Sequence, residues 1–194
     1  MQGRGKQDAT RSQECNGSVP TPTAADKAAD LWRTLVHWDE LPNWQRDNPH
    51  IHGSYRRASY SYGGSFRTIL HWHNESVNIW SHLVPAAVSL PLGVKLYHIL
   101  QPRYSRASFS DFVAMSCFFL GAALCLGMSA TFHTLSNHSP RVAKMWNQLD
   151  YAGISCLIAG SFVPSVFYGF WCDREKQVIY WTMVRSHPRL RHDC

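Results

Sequence analysis

Three long apolar runs dominate the pattern of the chain. Val77–Leu100 carries a single charge, Lys95, near its far end, and Phe112–Phe132 and Tyr151–Trp171 carry none. A helix needs about 20 mostly apolar residues to cross the hydrocarbon core of a bilayer, so each run predicts a membrane span. Buried helices of a soluble protein are the competing account, but 194 residues are too few to wrap three such helices in further layers. The connections, Gln101–Asp111 and His133–Asp150, are short and predict antiparallel neighbours. The expected class is an all-α integral membrane protein, with a three-helix membrane region over residues 77–172.

The flanks read differently. Residues 1–24 are rich in Gly, Ser, Thr, Pro and Gln and offer too little apolar surface to offset the entropy of ordering, which predicts a disordered tail. A short helix is expected over Ala25–His37, with Leu31, Leu35 and Val36 as its contacts and Pro42 as its limit. Pro42 and Pro49 predict extended or turning chain between Leu41 and Arg57. In Gly64–His73, the residues Phe66, Ile69, Leu70 and His73 follow helical spacing; this fits an interfacial helix leading into the first span, or a plain amphipathic surface helix. Beyond Cys172 the apolar run Val178–Val184 is too short to span, and 173–194 reads as a tail.

A mean hydropathy of −0.26 and a net charge of +6 suggest a soluble basic protein, but the charge is segregated. Residues 1–76 hold nine Lys/Arg and eight Asp/Glu, 77–171 hold five and two, and 172–194 hold five and three. The basic balance belongs to flanks and loops, and no basic patch interleaved with aromatics marks a nucleic-acid partner. Arg46, Arg56, Arg57 and Arg67 before the first span, with Arg141 and Lys144 between the second and third, favour a cytoplasmic N-terminus, while Arg103 and Arg106 blunt the contrast. No apolar segment follows the initial Met, so no cleavable signal peptide is read. The six cysteines form neither a close-set disulfide framework nor a Cys-x-x-Cys pair. The sequons at Asn16, Asn74 and Asn137 are expected to stay unglycosylated on the cytoplasmic side.

Polar groups in or beside a span are costly, and so are candidates for function. Ser129 and His133 are four residues apart at the end of the second run and share a helix face. Asp150 opens the third run and is expected at the depth of His133. An imidazole and a carboxylate so placed suit a metal with its water. They equally suit a pair of helix-end charges interacting with their own helix dipoles, and one His and one Asp fall short of the three or so protein ligands of zinc. His82 reads as a hydrogen-bonder between helices or as a ligand. His71 and His73 point about 200° apart on a helix, His138 is expected in a solvated loop, and His187 and His192 have no ligand geometry.

The words of the sequence are more specific. Trp38-Asp-Glu-Leu-Pro-Asn-Trp-Gln-Arg-Asp-Asn-Pro49, His73-Asn-Glu-Ser-Val-Asn-Ile-Trp-Ser-His82, Ser129-Ala-Thr-Phe-His133, Leu149-Asp-Tyr-Ala-Gly153 and Gly160-Ser-Phe-Val-Pro164 occur in the order in which the progestin and adipoQ receptor family has them. The chain closely resembles that family, which includes adiponectin receptors, fungal zinc-homeostasis proteins and bacterial hemolysin III proteins, from about Leu35 to Cys172. Its Pro-rich start and Trp-rich N-terminal segment resemble a fungal member.

The resemblance implies a seven-helix bundle with a cytoplasmic N-terminus and a Zn2+ ion near the cytoplasmic side. His133 maps to one zinc ligand, Asp150 to the carboxylate that holds a zinc-bound water, and Ser129 to the motif serine. Two further ligands come from a later His-x-x-x-His motif in the family. Lipid and zinc homeostasis, receptor signalling and hydrolysis of a ceramide-like membrane lipid are the implied roles. Spans four to seven and the His-x-x-x-His motif are missing here and residues 173–194 are read as a divergent tail unlike the family, so a truncated three-span chain is expected, with an incomplete zinc site and an unidentified partner chain as one source of the missing helices.

Overall fold

The computed structural model describes residues 35–102 and 108–185. The expected disordered tail, most of the expected Ala25–His37 helix, Arg103, Arg106, His187 and His192 lie outside them. Where that helix does fall within the described residues the backbone is extended instead. Leu35–Val36 (β1) pairs antiparallel with Tyr55–Arg56 (β2), Leu35 opposite Arg56 and Val36 opposite Tyr55. Val36, Leu41 and Tyr55 close a small core, with Trp38 tilted against Tyr55 at 5.9 Å. Between the strands the prolines leave only short 3-10 turns, at Trp38–Glu40 and Asn43–Gln45.

The expected interfacial element is a short helix, Tyr62–Arg67 (α1), that tightens into a 3-10 turn at Thr68–Leu70. Its inward face is polar: Ser65 and Thr68 are buried, Ser65 Oγ lies 2.7 Å from Ser59 Oγ, and Thr68 Oγ1 donates to Ser65 O. Its apolar residues face out, with Leu70 82% and the following Trp72 81% exposed. That inversion suits a segment lying against lipid rather than water.

Three long helices follow, Ser76–Leu100 (α2), Phe109–Leu135 (α3) and Pro140–Gly169 (α4), each long and apolar enough to cross a membrane. Ser108 and Asp111 form a reciprocal cap at the start of α3, and Tyr168 OH of α4 donates to Asp111 Oδ1 at 3.1 Å, tying the two helices at that end. Glycines set the α3–α4 spacing. A Cβ on Gly121 would come 2.9 Å from Cys156 O, one on Gly153 2.9 Å from Cys125 Cα, and one on Gly160 would collide with Cys117 O. Such small-residue seams let helix backbones approach closely in membranes.

Two sequence expectations are corrected by α4. It begins at Pro140, not Tyr151, about three turns earlier. Proline suits the first helical position, where its fixed φ is already helical and its missing N–H has no partner to lose, and the polar stretch Arg141–Gln148 continues the same helix outside the apolar region. Asp150 is therefore an interior helix residue, too far from the N-terminus for the helix dipole to account for it. The register of the glycine seam also sets depth. With Gly153 against Cys125, Asp150 falls level with Ser129, about 6 Å deeper than His133.

A last helix, Arg174–Arg185 (α5), folds back on the end of α4. Gln177 Nε2 donates to the carbonyls of Phe167 and Phe170, and Tyr180 stacks on Phe170 at 4.7 Å.

Candidate functional site

The end of α3 carries the candidate residues. Ser129 and His133 share a face, as their spacing predicts, and each is met by a side chain from the start of α2 or just before it. His82 Nδ1 lies 2.8 Å from Ser129 Oγ, and His133 Nδ1 lies 2.8 Å from Glu75 Oε2. The rings of His82 and His133 are edge to face at 5.8 Å. His82 thus bonds between helices, one of the two roles its position allowed.

Glu75 is half-buried, and three polar groups hold its carboxylate. Asn74 Nδ2 donates to Oε1 at 3.0 Å, while Asn78 Nδ2 at 2.9 Å and His133 share Oε2. Burial alone would raise its pKa; the hydrogen bonds from His133 and Asn78 outweigh that and hold the carboxyl below its ordinary range.

The main chain at the same helix end is held by Arg56, which is 3% exposed. Its Nη1 donates to Thr68 Oγ1 (2.8 Å) and Thr134 O (3.0 Å), and its Nη2 to His133 O (2.6 Å) and Ser136 Oγ (3.0 Å). The last carbonyls of a helix have no partner within it, and a cation there is favoured by the helix dipole. Burial lowers the Arg56 pKa to about 10, with Glu75 opposing the shift, so the guanidinium stays charged at neutral pH.

Arg57, next in the chain, points outward and meets Glu40 at 3.6 Å with both side chains half exposed. Further bonds dock the N-terminal segment on the α3–α4 turn: Ser59 N and Tyr60 N donate to the carbonyls of Asn137 and His138 at 2.8 and 3.0 Å, and Asn137 Nδ2 donates to Arg57 O at 3.0 Å. Tyr60, at φ 48°, and Ser54, at φ 65°, adopt the left-handed region, which a side chain occupies at a cost that tertiary contacts must outweigh. Both sit at docking points, since Ser54 O accepts from Asn74 N at 2.9 Å. His138 is buried beside the Tyr62 ring at 4.3 Å, which corrects the expectation of a solvated loop residue.

Of the expected site residues, Ser129 and His133 come together, and no hydrogen bond among the described residues joins Asp150 to either. Glu75 and Arg56 were not singled out from the sequence. A signal for Glu75 existed: it is an acidic residue at the edge of the first span, at the end where an antiparallel second span delivers His133. None separated Arg56 from Arg57. A metal ligand at His133 would need its proton on Nδ1 and its lone pair on Nε2, and the carboxylate oxygen 2.8 Å from Nδ1 is compatible with that form. The described residues contain no group of three His, Cys, Asp or Glu side chains able to hold a metal, so they supply one oriented imidazole rather than a complete zinc donor set.

Residues 70–186 match the family profile described as haemolysin-III related. The chain belongs to that family. This haemolysin-III-related protein is 39% identical over 180 residues to the adiponectin receptor protein of Drosophila melanogaster, a match covering 89% of the chain and 40% of the relative. It is 40% identical over 153 residues to the progestin and adipoQ receptor-like protein 1 of Caenorhabditis elegans, covering 79% and 34%. It is 38% identical over 154 residues to the ADIPOR-like receptor IZH2 of Saccharomyces cerevisiae, covering 77% and 47%. The chain thus spans less than half the length of each of these relatives.

Family membership and the three apolar helices make this an integral membrane protein of the adiponectin-receptor-like type. The haemolysin-III-related match runs past Cys172 through α5, which corrects the expectation that the chain diverges from the family there, and it includes Glu75, Ser129, His133 and Asp150 while Arg56 precedes it.

Proposed function

We propose that this membrane protein acts in lipid and zinc homeostasis, with His133 as a zinc ligand and, in the complete site, hydrolysis of a ceramide-like lipid. The observation that carries the reading is the 2.8 Å contact of His133 Nδ1 with Glu75 Oε2, since a carboxylate on the outer nitrogen is the usual companion of a zinc-bound imidazole. Zinc, when bound, would supply Lewis acidity toward an amide carbonyl. The residues of the chain do the rest. Glu75 would orient the imidazole, His82 meets the Ser129 hydroxyl one turn deeper, and Asp150 would be the carboxylate that accepts a proton. Further zinc ligands would come from a longer form of the protein or a partner chain. The N-terminal segment would face the cytoplasm, because Arg46, Arg57, Arg67, Arg141 and Lys144 gather at one end of the bundle.

Metal analysis of the purified protein tests the reading. His133→Ala should lower zinc per chain by about tenfold or more, and equal zinc in both proteins would overturn it. In a complete homologous protein, replacing the residue matching Asp150 with Asn should lower turnover of a short-chain ceramide by about 100-fold while zinc stays bound. Unchanged turnover would favour a receptor in which zinc clamps helices together. A further reading, an inactive three-span chain, is favoured by the lack of a three-ligand group among the described residues; stoichiometric zinc that survives mild chelation would exclude it.

A further inference from the structure

A role for His133 as a ligand does not by itself account for a carboxylate at Glu75. Glu75 occupies the cap position of α2, where a short acidic or hydroxyl side chain ordinarily accepts from the free N–H groups of the first turn. It makes no such bond. The neighbouring Ser76 hydroxyl serves the local backbone instead, accepting from His73 N at 2.9 Å and donating to His71 O at 3.0 Å. The Glu75 carboxylate turns to a different helix and meets a ring 58 residues further along the chain.

Asn74 and Asn78, on either side of it, donate to its two oxygens. These two amides fix the plane of the carboxylate, and the carboxylate in turn fixes the imidazole. A partly buried charge at the edge of a membrane span is costly unless it is hydrogen-bonded, and here two amide donors hold it with one oxygen pointed at His133 Nδ1. The Arg56 guanidinium holds the main-chain carbonyl of the same histidine. His133 is thereby held at its ring and at its backbone by residues that precede the first span.

We propose that Glu75 is a positioning residue that keeps neutral His133 in the Nδ1–H tautomer, with the Nε2 lone pair presented for a metal ion. A free neutral imidazole prefers its proton on Nε2, and the hydrogen bond to the outer nitrogen is what sets the choice in a protein. Loss of the acceptor would put the proton on the nitrogen that has to bind the metal, so binding would first require the proton to move. Glu75→Gln retains an acceptor oxygen at this position, whereas Glu75→Leu keeps similar bulk and has none. The proposal rests on His133 being a ligand, and its test separates the two.

The first measurement needs no metal. Histidine-selective 15N NMR of the protein in lipid nanodiscs at pH 8, with the His133 signals identified by their loss in His133→Ala, should show Nδ1 protonated in the native protein and in Glu75→Gln. In Glu75→Leu the proton should shift largely to Nε2. An Nε2–H ring in the native protein, or an unchanged ring in Glu75→Leu, overturns the assignment of Glu75. The second measurement is titration with Zn2+ alone. Affinity should fall about 10- to 100-fold in Glu75→Leu, with Glu75→Gln lying between it and the native protein. Zinc binding that depends on His133 but is the same in Glu75→Leu also overturns the proposal. Binding unaffected by His133→Ala sinks the ligand reading instead, and leaves the tautomer result to decide the role of Glu75.

Discussion

Arg56 donates from Nη2 to the carbonyl of His133 at 2.6 Å, so a residue in a two-residue strand outside the bundle closes the end of its second long helix. The same guanidinium takes Thr134 O, Thr68 Oγ1 and Ser136 Oγ. Four acceptors on three elements converge on one planar group, a geometry that the fork of arginine serves and the single ammonium of lysine does not.

Arg56→Met should therefore lower stability by about 3 kcal/mol, because it strips the charged donor from buried Thr134 O and leaves His133 O with the Ser136 hydroxyl alone, and Arg56→Lys should recover only part of the loss. Arg57→Ala should change stability by less than about 1 kcal/mol, since its ion pair with Glu40 is solvent-exposed. Thermal unfolding in one detergent, followed by circular dichroism, compares the three. Equal effects at the two arginines would contradict the inward and outward placement of the pair.

The glycine seam makes a second contrast. Gly160→Ala drives a methyl into Cys117 O, whereas Gly127→Ala meets nothing within 4 Å. The first should cost about 1–3 kcal/mol through forced separation of α3 and α4, and the second should cost nothing measurable. Resistance of the purified variants to SDS-induced unfolding is a direct comparison.

His73 sets a pH dependence. Burial, and after it the Arg56 guanidinium, push its pKa down to about 4, against about 6.5 in an unfolded chain. The unfolded chain therefore takes up the proton first as pH falls. This contribution to stability is complete above about pH 6.5 and is lost progressively toward pH 4, by up to about 3 kcal/mol. Glu75, held below its ordinary range, adds its own loss only in more acidic solution. Melting temperatures in nanodiscs should fall between pH 7 and pH 5, and His73→Asn, which keeps an acceptor for Glu75 N, should flatten that slope. Identical slopes in the two proteins would remove His73 as the cause.

Topology follows from the docking of the N-terminal segment on the α3–α4 turn. In a background with the native cysteines replaced, Arg57→Cys and Lys144→Cys should react with a membrane-impermeant thiol reagent from the same side of sealed vesicles, and Phe109→Cys from the opposite side. Asn137, 1% exposed with its amide bonded to Arg57 O, should remain free of glycan on either side. Labelling of Arg57→Cys and Lys144→Cys from different sides would contradict the fold.

The spans were legible in the sequence because apolarity tracks the bilayer, and all three appear as helices. Their ends were less so, for the same reason: the apolar run stops where lipid stops, while the α4 backbone continues out to Pro140. That difference displaced Asp150 from a helix end to a helix interior and from the depth of His133 to that of Ser129. Ser129 and His133 were found because they share a face within one helix. Glu75 and Arg56 act across 58 and 77 residues of chain, a range at which hydrophobic periodicity carries no information. Which arginine of the pair at 56 and 57 points inward depends on strand register, and a two-residue strand has too little alternation to announce it.

The long separation between Arg56 and His133 also has a consequence for the order of assembly. At a synthesis rate of about 5–20 residues per second, the 77 residues between them take about 4–15 s to emerge. Until His133 and Thr134 emerge, Arg56 and Glu75 lack their partners on α3 and must stay in water, beside a first helix that is already entering the bilayer. The segment before the first span can fasten only after the second span has been threaded and its end has returned to the same surface. Its docking is a late event that reports a correctly inserted hairpin, and a nascent chain halted before His133 should expose residues 35–75 to protease that a chain extended past the α3–α4 turn protects.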